Sequence, residues 1–126
     1  MSSSRLPNDV RTFVRMYIDS VELLEVLLTI RTDPEKPWSI SEVARTLTVT
    51  VESARLRLDQ LEERRLAQRD DDGAYTYTAK SLGIEDTVAQ LAESYAKRRT
   101  RVISLIFSGP TEGVRGFADA FKLRED

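Results

Sequence analysis

Residues 38–50 read WSISEVARTLTVT, and this stretch decides the fold that we predict. Its middle part, residues 41–47, has apolar side chains at helical spacing and predicts a two-turn helix. The side chains expected to face inward are Val43, Ala44 and Leu47. A short extended segment, residues 38–40, is predicted before this helix, and a turn after it. Thr50 ends the turn and is suited to cap a following helix, because its hydroxyl can accept a hydrogen bond from a free backbone N–H.

The chain downstream of Thr50 predicts a longer helix and then a β-hairpin. The helix runs to about Arg65, with inward-facing residues at spacings of four and three: Ala54, Leu58 and Leu61. Residues 66–69 and 74–78 read as two strands. The segment between them, residues 70–73, is DDDG, which favours a tight turn because Asp and Gly tolerate positive φ angles. We expect Trp38, Tyr75 and Tyr77 to pack in the core rather than to stack on a nucleic-acid base.

The two ends of the chain predict further helices. Residues 1–7 are expected to be a disordered N-terminus, and residues 8–19 a helix capped by Asn8 or Asp9, with a strand over residues 12–18 as the alternative. A second helix starts after Asp19 and ends at the Pro-containing loop of residues 33–37. Residues 81–126 are expected to form C-terminal helices. The first starts near Ile84 or Glu85 and stops at Ser108-Gly109-Pro110, and the last is capped by Thr111; a strand over residues 102–107 is the alternative. The apolar positions of the last helix are Val114, Phe117, Ala118 and Phe121.

The composition excludes several classes of chemistry. The chain has 126 residues, which fits one domain, or one small domain with appended helices. It has no Cys and no His, which removes disulfide frameworks, thiol nucleophiles, zinc fingers, Ser-His triads and imidazole ligands. We find no Gly-rich phosphate loop and no paired carboxylates that differ from surface charge. We therefore expect no catalytic residues, no cofactor and no metal site.

Charge and hydropathy set expectations about partners and location. The 19 basic and 21 acidic residues give a net charge of −2, so the chain as a whole is not the strongly basic kind that nucleic acid attracts. Any basic surface must come from local arrangement. No targeting signal is recognised, and the longest nearly uncharged stretch, residues 102–113, is too short to span a bilayer. We expect a cytoplasmic protein that does not enter a membrane.

The order of helix, short strand, short helix, turn, longer helix and hairpin resembles the winged helix-turn-helix of MarR, ArsR and GntR-type bacterial regulators. The resemblance covers about residues 20–78 and rests on the segment quoted above together with Ala54, Leu58, Leu61 and Leu66. It implies a mainly α fold with a small β-hairpin wing (α+β). The winged helix-turn-helix domain would comprise residues 20–80, with extra helices at both ends of the chain.

The resemblance also implies transcription regulation through double-stranded DNA, with the third helix of the domain in the major groove. The residues that would contact DNA are Thr50, Glu52, Ser53, Arg55, Leu56 and Arg57. Arg55 or Arg57 would pair with guanine or phosphate, and Ser53 would reach a phosphate or a base edge. The candidates for contacts to the DNA backbone are Arg69, Lys97, Arg98, Arg99 and Arg101. The last four lie outside the motif, and their alternative is a solvated stretch of a long helix, or salt bridges to the acidic wing of a partner subunit. The alternative is a solvated helix face in which Arg55 and Arg57 pair with Glu52, Asp59 or Glu62.

Three positions depart from the pattern of these families. Arg65 stands where they usually have Gly, so it should adopt a left-handed backbone conformation. Residues 70–72 put three aspartates at the tip of the wing, where many DNA-binding wings carry Arg or Lys. Leu56 is apolar where a polar contact is common. The last two departures support the alternative function, a winged-helix module that binds a protein partner and not DNA.

The C-terminal helices carry an apolar face that is long for a small domain to cover. Its members are Val88, Leu91, Tyr95, Val102 and Ile106. In the MarR-like families such helices form the dimer interface, so residues 84–123, with residues 8–18 as an addition, are predicted to form a homodimer. A two-fold dimer would space two recognition helices by about one turn of DNA. No residue argues for a small-molecule effector.

Overall fold

The computed structural model describes the backbone of residues 6–118 and the side chains of residues 6–108. The chain divides into two compact units. The described part of the first, called here the terminal unit, comprises residues 6–20 and 87–118. The second, called the central unit, comprises residues 21–86. The described part is mainly helical with one small antiparallel sheet, as the sequence predicted at this coarse level. No helix in it is long and apolar enough to cross a bilayer.

The central unit contains three helices and a hairpin. Helix α2 (Val21–Arg31) packs against α3 (Ile40–Leu47) and α4 (Val51–Glu63), and α3 also packs against α4. Strands β1 (Ala67–Arg69) and β2 (Tyr75–Tyr77) pair antiparallel, with Ala67 opposite Tyr77 and Arg69 opposite Tyr75. Trp38 forms an isolated antiparallel bridge with Tyr75, with reciprocal backbone hydrogen bonds of 2.8 Å. The predicted extended segment is therefore reduced to this one bridge.

The core of the central unit comes from one face of each element. Helix α2 is apolar around much of its circumference and buries five side chains, which agrees with its predicted central position. These are Leu23, Leu24, Val26, Leu27 and Ile30. Val43 and Ala44 of α3 are buried, whereas Leu47 is only half-buried. Trp38, Tyr75 and Tyr77 are each at most 8% exposed, which confirms that these aromatic residues pack in the core.

Helix α4 ends with a residue in the left-handed region, as predicted. It stops at Glu63, two residues before the predicted end, and Arg65 then takes a φ of 65°. This conformation reverses the chain so that Leu66 N–H donates to the Leu61 carbonyl over 2.8 Å and the hairpin can begin. Arg65 therefore occupies a conformation that glycine adopts without steric cost.

We expect Arg65→Gly to stabilise the protein by about 1 kcal/mol, because it removes the Cβ clash of a left-handed residue. Urea unfolding followed by circular dichroism measures this change. Arg64→Gly is the matched control: Arg64 has a φ of −89°, so glycine there relieves nothing and should lower the free energy of unfolding. Equal changes at both positions would contradict the argument.

Helix α1 (Asn8–Tyr17) belongs to the terminal unit and packs against α6 (Arg99–Ala118). The helix prediction is confirmed and the strand alternative for residues 12–18 is wrong. Pro7, not Asn8 or Asp9, is the N-cap residue, and its fixed φ suits a helix start. Leu6, which we expected in a disordered terminus, is only 8% exposed. The rest of that prediction, residues 1–5, lies outside the described residues.

The C-terminal helices differ from the prediction in three ways. Helix α5 (Leu82–Lys97) starts two residues before Ile84, and the chain breaks at Arg98 before α6 begins. No Gly or Pro marks this break; it lets α6 change direction and pack on α1.

The predicted stop at Ser108-Gly109-Pro110 and the separate last helix capped by Thr111 are wrong, because α6 continues to Ala118. Proline inside a helix removes one backbone donor and its ring crowds the carbonyl four residues earlier, but its φ is compatible with a helix. The strand alternative for residues 102–107 is also wrong. Phe121, and the side chains of Val114, Phe117 and Ala118, lie outside the described part.

Candidate nucleic-acid interface

Helices α3 and α4 are joined by a turn that local hydrogen bonds define. Ser39 and Glu42 form a capping box: the Ser39 hydroxyl accepts from Glu42 N–H at 3.0 Å, and the Glu42 carboxylate accepts from Ser39 N–H at 2.9 Å. The hydrogen bond from the Ser39 backbone, aided by Lys36, lowers the pKa of Glu42. This box starts α3 at Ile40, one residue earlier than predicted; the S-x-x-E spacing in the sequence was the missed signal. Thr48 then ends α3 with a φ of 58°.

Helix α4 has one buried face and one exposed face. The hydroxyl of Thr50 accepts a hydrogen bond from Ser53 N–H at 3.0 Å, which confirms the predicted cap. The inward residues are those predicted, and all are fully buried: Ala54, Leu58 and Leu61. The exposed side chains of the first two turns are Val51, Glu52, Arg55 and Leu56. The N-terminal half of α4 therefore presents a continuous surface to solvent.

The two arginines of α4 differ in their surroundings. Arg57 Nε donates to Glu22 Oε1 of α2 at 2.8 Å, and Arg57 Nη1 donates to Gln60 Oε1 at 3.2 Å. Glu22 was not among the partners expected for a solvated helix face. Arg55 is exposed, and no side chain in the described part forms a hydrogen bond or ion pair with it. Of the two, Arg55 has the guanidinium that is available to a ligand.

A shallow depression of about 620 Å³ lies where α3 meets the start of α4. Arg45 of α3 and Val51 of α4 both line it, and Arg55 follows Val51 by one turn on the same face of α4. Arg45 is exposed and forms no ion pair within the described part of the chain. We did not predict Arg45 as a site residue. The sequence signal that could have found it is that Arg45 lies outside the apolar stripe of Val43 and Ala44, which predicts an exposed side chain.

The hairpin turn is built around Asp70. Its carboxylate Oδ1 accepts hydrogen bonds from Asp72 N–H and Ala74 N–H, each at 2.9 Å, and Gly73 has a φ of 85°. This confirms the predicted turn chemistry. Asp71 and Asp72 are exposed at the tip, and Arg69 is exposed at the end of β1. The hairpin thus carries a cation next to its turn and two carboxylates at its tip.

A polar cluster that the sequence did not reveal joins α2, β2 and the start of α5. Arg31 Nη2 donates to Glu85 Oε2 at 2.7 Å, and the Tyr77 hydroxyl donates to Glu85 Oε1. The hydrogen bond from Arg31 lowers the pKa of Glu85, while burial and the Glu85 carboxylate raise the pKa of Tyr77. Nearby, burial and a hydrogen bond to Asp59 raise the pKa of Tyr75 to about 12. Both tyrosines therefore stay protonated at neutral pH.

The basic cluster at residues 97–101 lies in the terminal unit. Lys97 Nζ pairs with Glu93 Oε2 at 2.8 Å within α5, and the Arg99 guanidinium lies 4.6 Å from the centroid of the Tyr95 ring. Arg98 stands at the break between the helices and is half-buried. Arg101 is exposed. Their predicted contacts to a DNA backbone stay a prediction.

The apolar face predicted for dimerisation is largely covered within the chain. Val88, Leu91 and Val102 are fully buried and Ile106 is 3% exposed, whereas Tyr95 is half-buried. Packing of α6 on α1 accounts for part of this coverage. The argument for a dimer from this face is therefore wrong, and the homodimer stays a prediction without it. The large apolar side chains exposed on the described part of the terminal unit include Met16 and Phe107, whereas Leu82, at the start of α5, is exposed in the central unit.

Comparison of the chain with protein-family models, curated proteins and solved structures finds no match. Within the described residues, no group of three or more acidic side chains is arranged to hold a metal ion. The functional argument consequently depends on the geometry of α3, α4 and the hairpin.

Proposed function

We propose that the central unit is a winged helix-turn-helix and that it binds double-stranded DNA as part of a bacterial transcriptional regulator. The observation that carries the proposal is the two-sided character of α4. Its inward face is buried against α2 and α3, while its exposed N-terminal half carries an unpaired arginine, Arg55. A helix of 13 residues is about 20 Å long, and the major groove of B-DNA is wide enough to admit it.

The roles follow from the exposure of each residue. Arg55 would pair with guanine or with phosphate, and Arg45 would contact phosphate from the end of α3. Thr50 and Ser53, at the helix N-terminus, would stand near the backbone, where the helix dipole favours a phosphate. Arg57 would keep α4 in place through Glu22 rather than touch DNA. Arg69, next to the hairpin turn, would approach the flanking backbone.

Fluorescence anisotropy of the full chain with mixed-sequence duplexes, including the region upstream of its own gene, tests the proposal. We expect binding whose logarithm falls linearly with the logarithm of salt concentration, with a slope of about −0.9 for each phosphate neutralised. A regulator that acts as a homodimer would bind as two chains per site. Absence of binding at low salt would reject the proposal.

The acidic tip of the hairpin should weaken DNA binding. Asp71 and Asp72 are exposed and do not support the turn through their carboxylates in the described structure, whereas Asp70 does. We expect Asp71→Asn with Asp72→Asn to raise DNA affinity by a few-fold at low salt, since repulsion of phosphates is removed. The control is Asp33→Asn with Glu35→Gln, which removes the same charge from another exposed loop. An equal gain in the control would assign the effect to net charge.

A second candidate function is binding of a protein partner through the same face. The observation that favours it is the exposure of two apolar side chains on α4, Val51 at 44% and Leu56 at 50%, in a unit whose hairpin tip is acidic. Leu56→Ser separates the two candidates. It should leave phosphate-dominated DNA affinity nearly unchanged, but it should abolish an interaction centred on that apolar surface.

A further inference from the structure

An open groove lies within the terminal unit, between the start of the described chain with α1 and the first turns of α6. Its volume is about 560 Å³, which is in the range of sites that hold small molecules. Leu6 and Leu105 supply apolar walls, and Ser104 and Ser108 supply hydroxyl groups. The groove is distinct from the depression between α3 and α4, which belongs to the central unit.

Two guanidinium groups line this groove, one from each helix: Arg11 of α1 and Arg101 of α6. Neither forms an ion pair or a side-chain hydrogen bond with any residue of the described part. Among the described residues, the lining includes no Asp or Glu. The basic residues around Arg101 are engaged differently, since Lys97 pairs with Glu93 and Arg99 lies over Tyr95. Two arginines, neither of them paired within the described part of the chain, therefore line the same groove.

We infer that this groove binds a small organic anion of two negative charges with an apolar group, a phosphate monoester being the class that fits best. Guanidinium groups bind phosphate oxygens through paired N–H donors, and two arginines match the dianion. The hydroxyl of Ser104 would donate a further hydrogen bond. The apolar group of the ligand would lie against Leu105 and Leu6. This site does not depend on DNA binding by the central unit.

Isothermal titration calorimetry of the full chain with phenyl phosphate at pH 7.5 tests the inference. We expect one site per chain, and a loss of affinity of about tenfold or more in each of Arg11→Gln and Arg101→Gln. Inorganic phosphate, which lacks the apolar group, and benzoate, which has one charge, should both bind more weakly. Affinity for phenyl phosphate should fall from pH 7.5 to pH 5, because the second phosphate pKa is about 6 and arginine stays charged.

Arg15→Gln is the matched control, since Arg15 lies on α1 one turn from Arg11 and does not line the groove. Because Arg11 is half-buried, Ser104→Ala at an exposed position serves as a second variant that should keep the fold and weaken binding. Three results would each overturn the inference. The first is the absence of saturable binding, and the second is equal affinity for phenyl phosphate in the two arginine variants and the parent chain. The third is inorganic phosphate binding as tightly as phenyl phosphate. Loss of duplex DNA affinity in Arg101→Gln with phenyl phosphate binding intact would also overturn it, and would identify Arg101 as a DNA contact.

Discussion

Arg55→Glu is expected to reduce the affinity of the chain for duplex DNA by about 100-fold. Loss of an arginine contact to a base or phosphate typically costs 1–3 kcal/mol, and the new carboxylate adds repulsion from the DNA backbone. Arg55 is exposed and unpaired within the described residues, so the substitution should not disturb the fold. Anisotropy titrations at fixed low salt measure the change, and circular dichroism checks that the helices remain.

The control for this prediction is Arg15→Glu, which makes the same change in net charge on α1 of the terminal unit. It should reduce affinity by less than about threefold, because a charge that does not contact a phosphate is screened by salt. Arg57→Glu is unsuitable, since it would place two carboxylates, its own and that of Glu22, side by side. Unchanged binding in Arg55→Glu would reject the exposed face of α4 as the DNA-contacting surface.

Glu85→Ala is expected to lower the free energy of unfolding by about 2 kcal/mol at pH 7. Glu85 accepts charge-assisted hydrogen bonds from Arg31 and Tyr77, and the Tyr77 side chain is nearly buried. The expected loss of stability is smaller than the sum of two charge-assisted hydrogen bonds, because solvent screens the pair: the Arg31 and Glu85 side chains are 24% and 35% exposed. Urea unfolding at pH 7 measures the loss. Glu93→Ala, which removes an exposed ion pair with Lys97 on the same helix, should change the free energy of unfolding far less than Glu85→Ala does.

The effect of Glu85→Ala should depend on pH in a definite direction. The Arg31 guanidinium lowers the pKa of Glu85 in the folded chain. The ionised carboxylate therefore stabilises the protein above the usual glutamate pKa of about 4.3, and this contribution is lost as the pH falls through the lowered folded-state value. The difference between parent and variant should shrink between about pH 5 and pH 2. A difference that stays constant over this range would contradict an ionic role for Glu85.

Much of the central unit was predictable because its signals are local. Thr50 caps α4 through a hydrogen bond to a residue three positions away, and the hydrogen bonds of Asp70 that close the hairpin turn reach at most four positions along the chain. The inward stripe of Ala54, Leu58 and Leu61 follows from helical periodicity alone. The left-handed Arg65 was expected from the resemblance, because the similar families usually have Gly at this place. Exposure of Arg55 followed from the same periodicity.

Other features depended on residues distant in the chain. Arg57 pairs with Glu22, 35 positions away, and Arg31 pairs with Glu85, 54 positions away; no local spacing connects either pair. The break at Arg98 and the passage of α6 through Pro110 oppose the local signals, and α6 packs against α1 from the other end of the chain. The order and type of the central elements were determined by the sequence, since capping and periodicity act over a few residues. The tertiary structure alone decided that Arg55, and not Arg57, has a guanidinium available to a ligand, and that the apolar face of the C-terminal helices is covered within the chain. Burial and ion pairing bring together residues that are distant in sequence, so they depend on the folded chain.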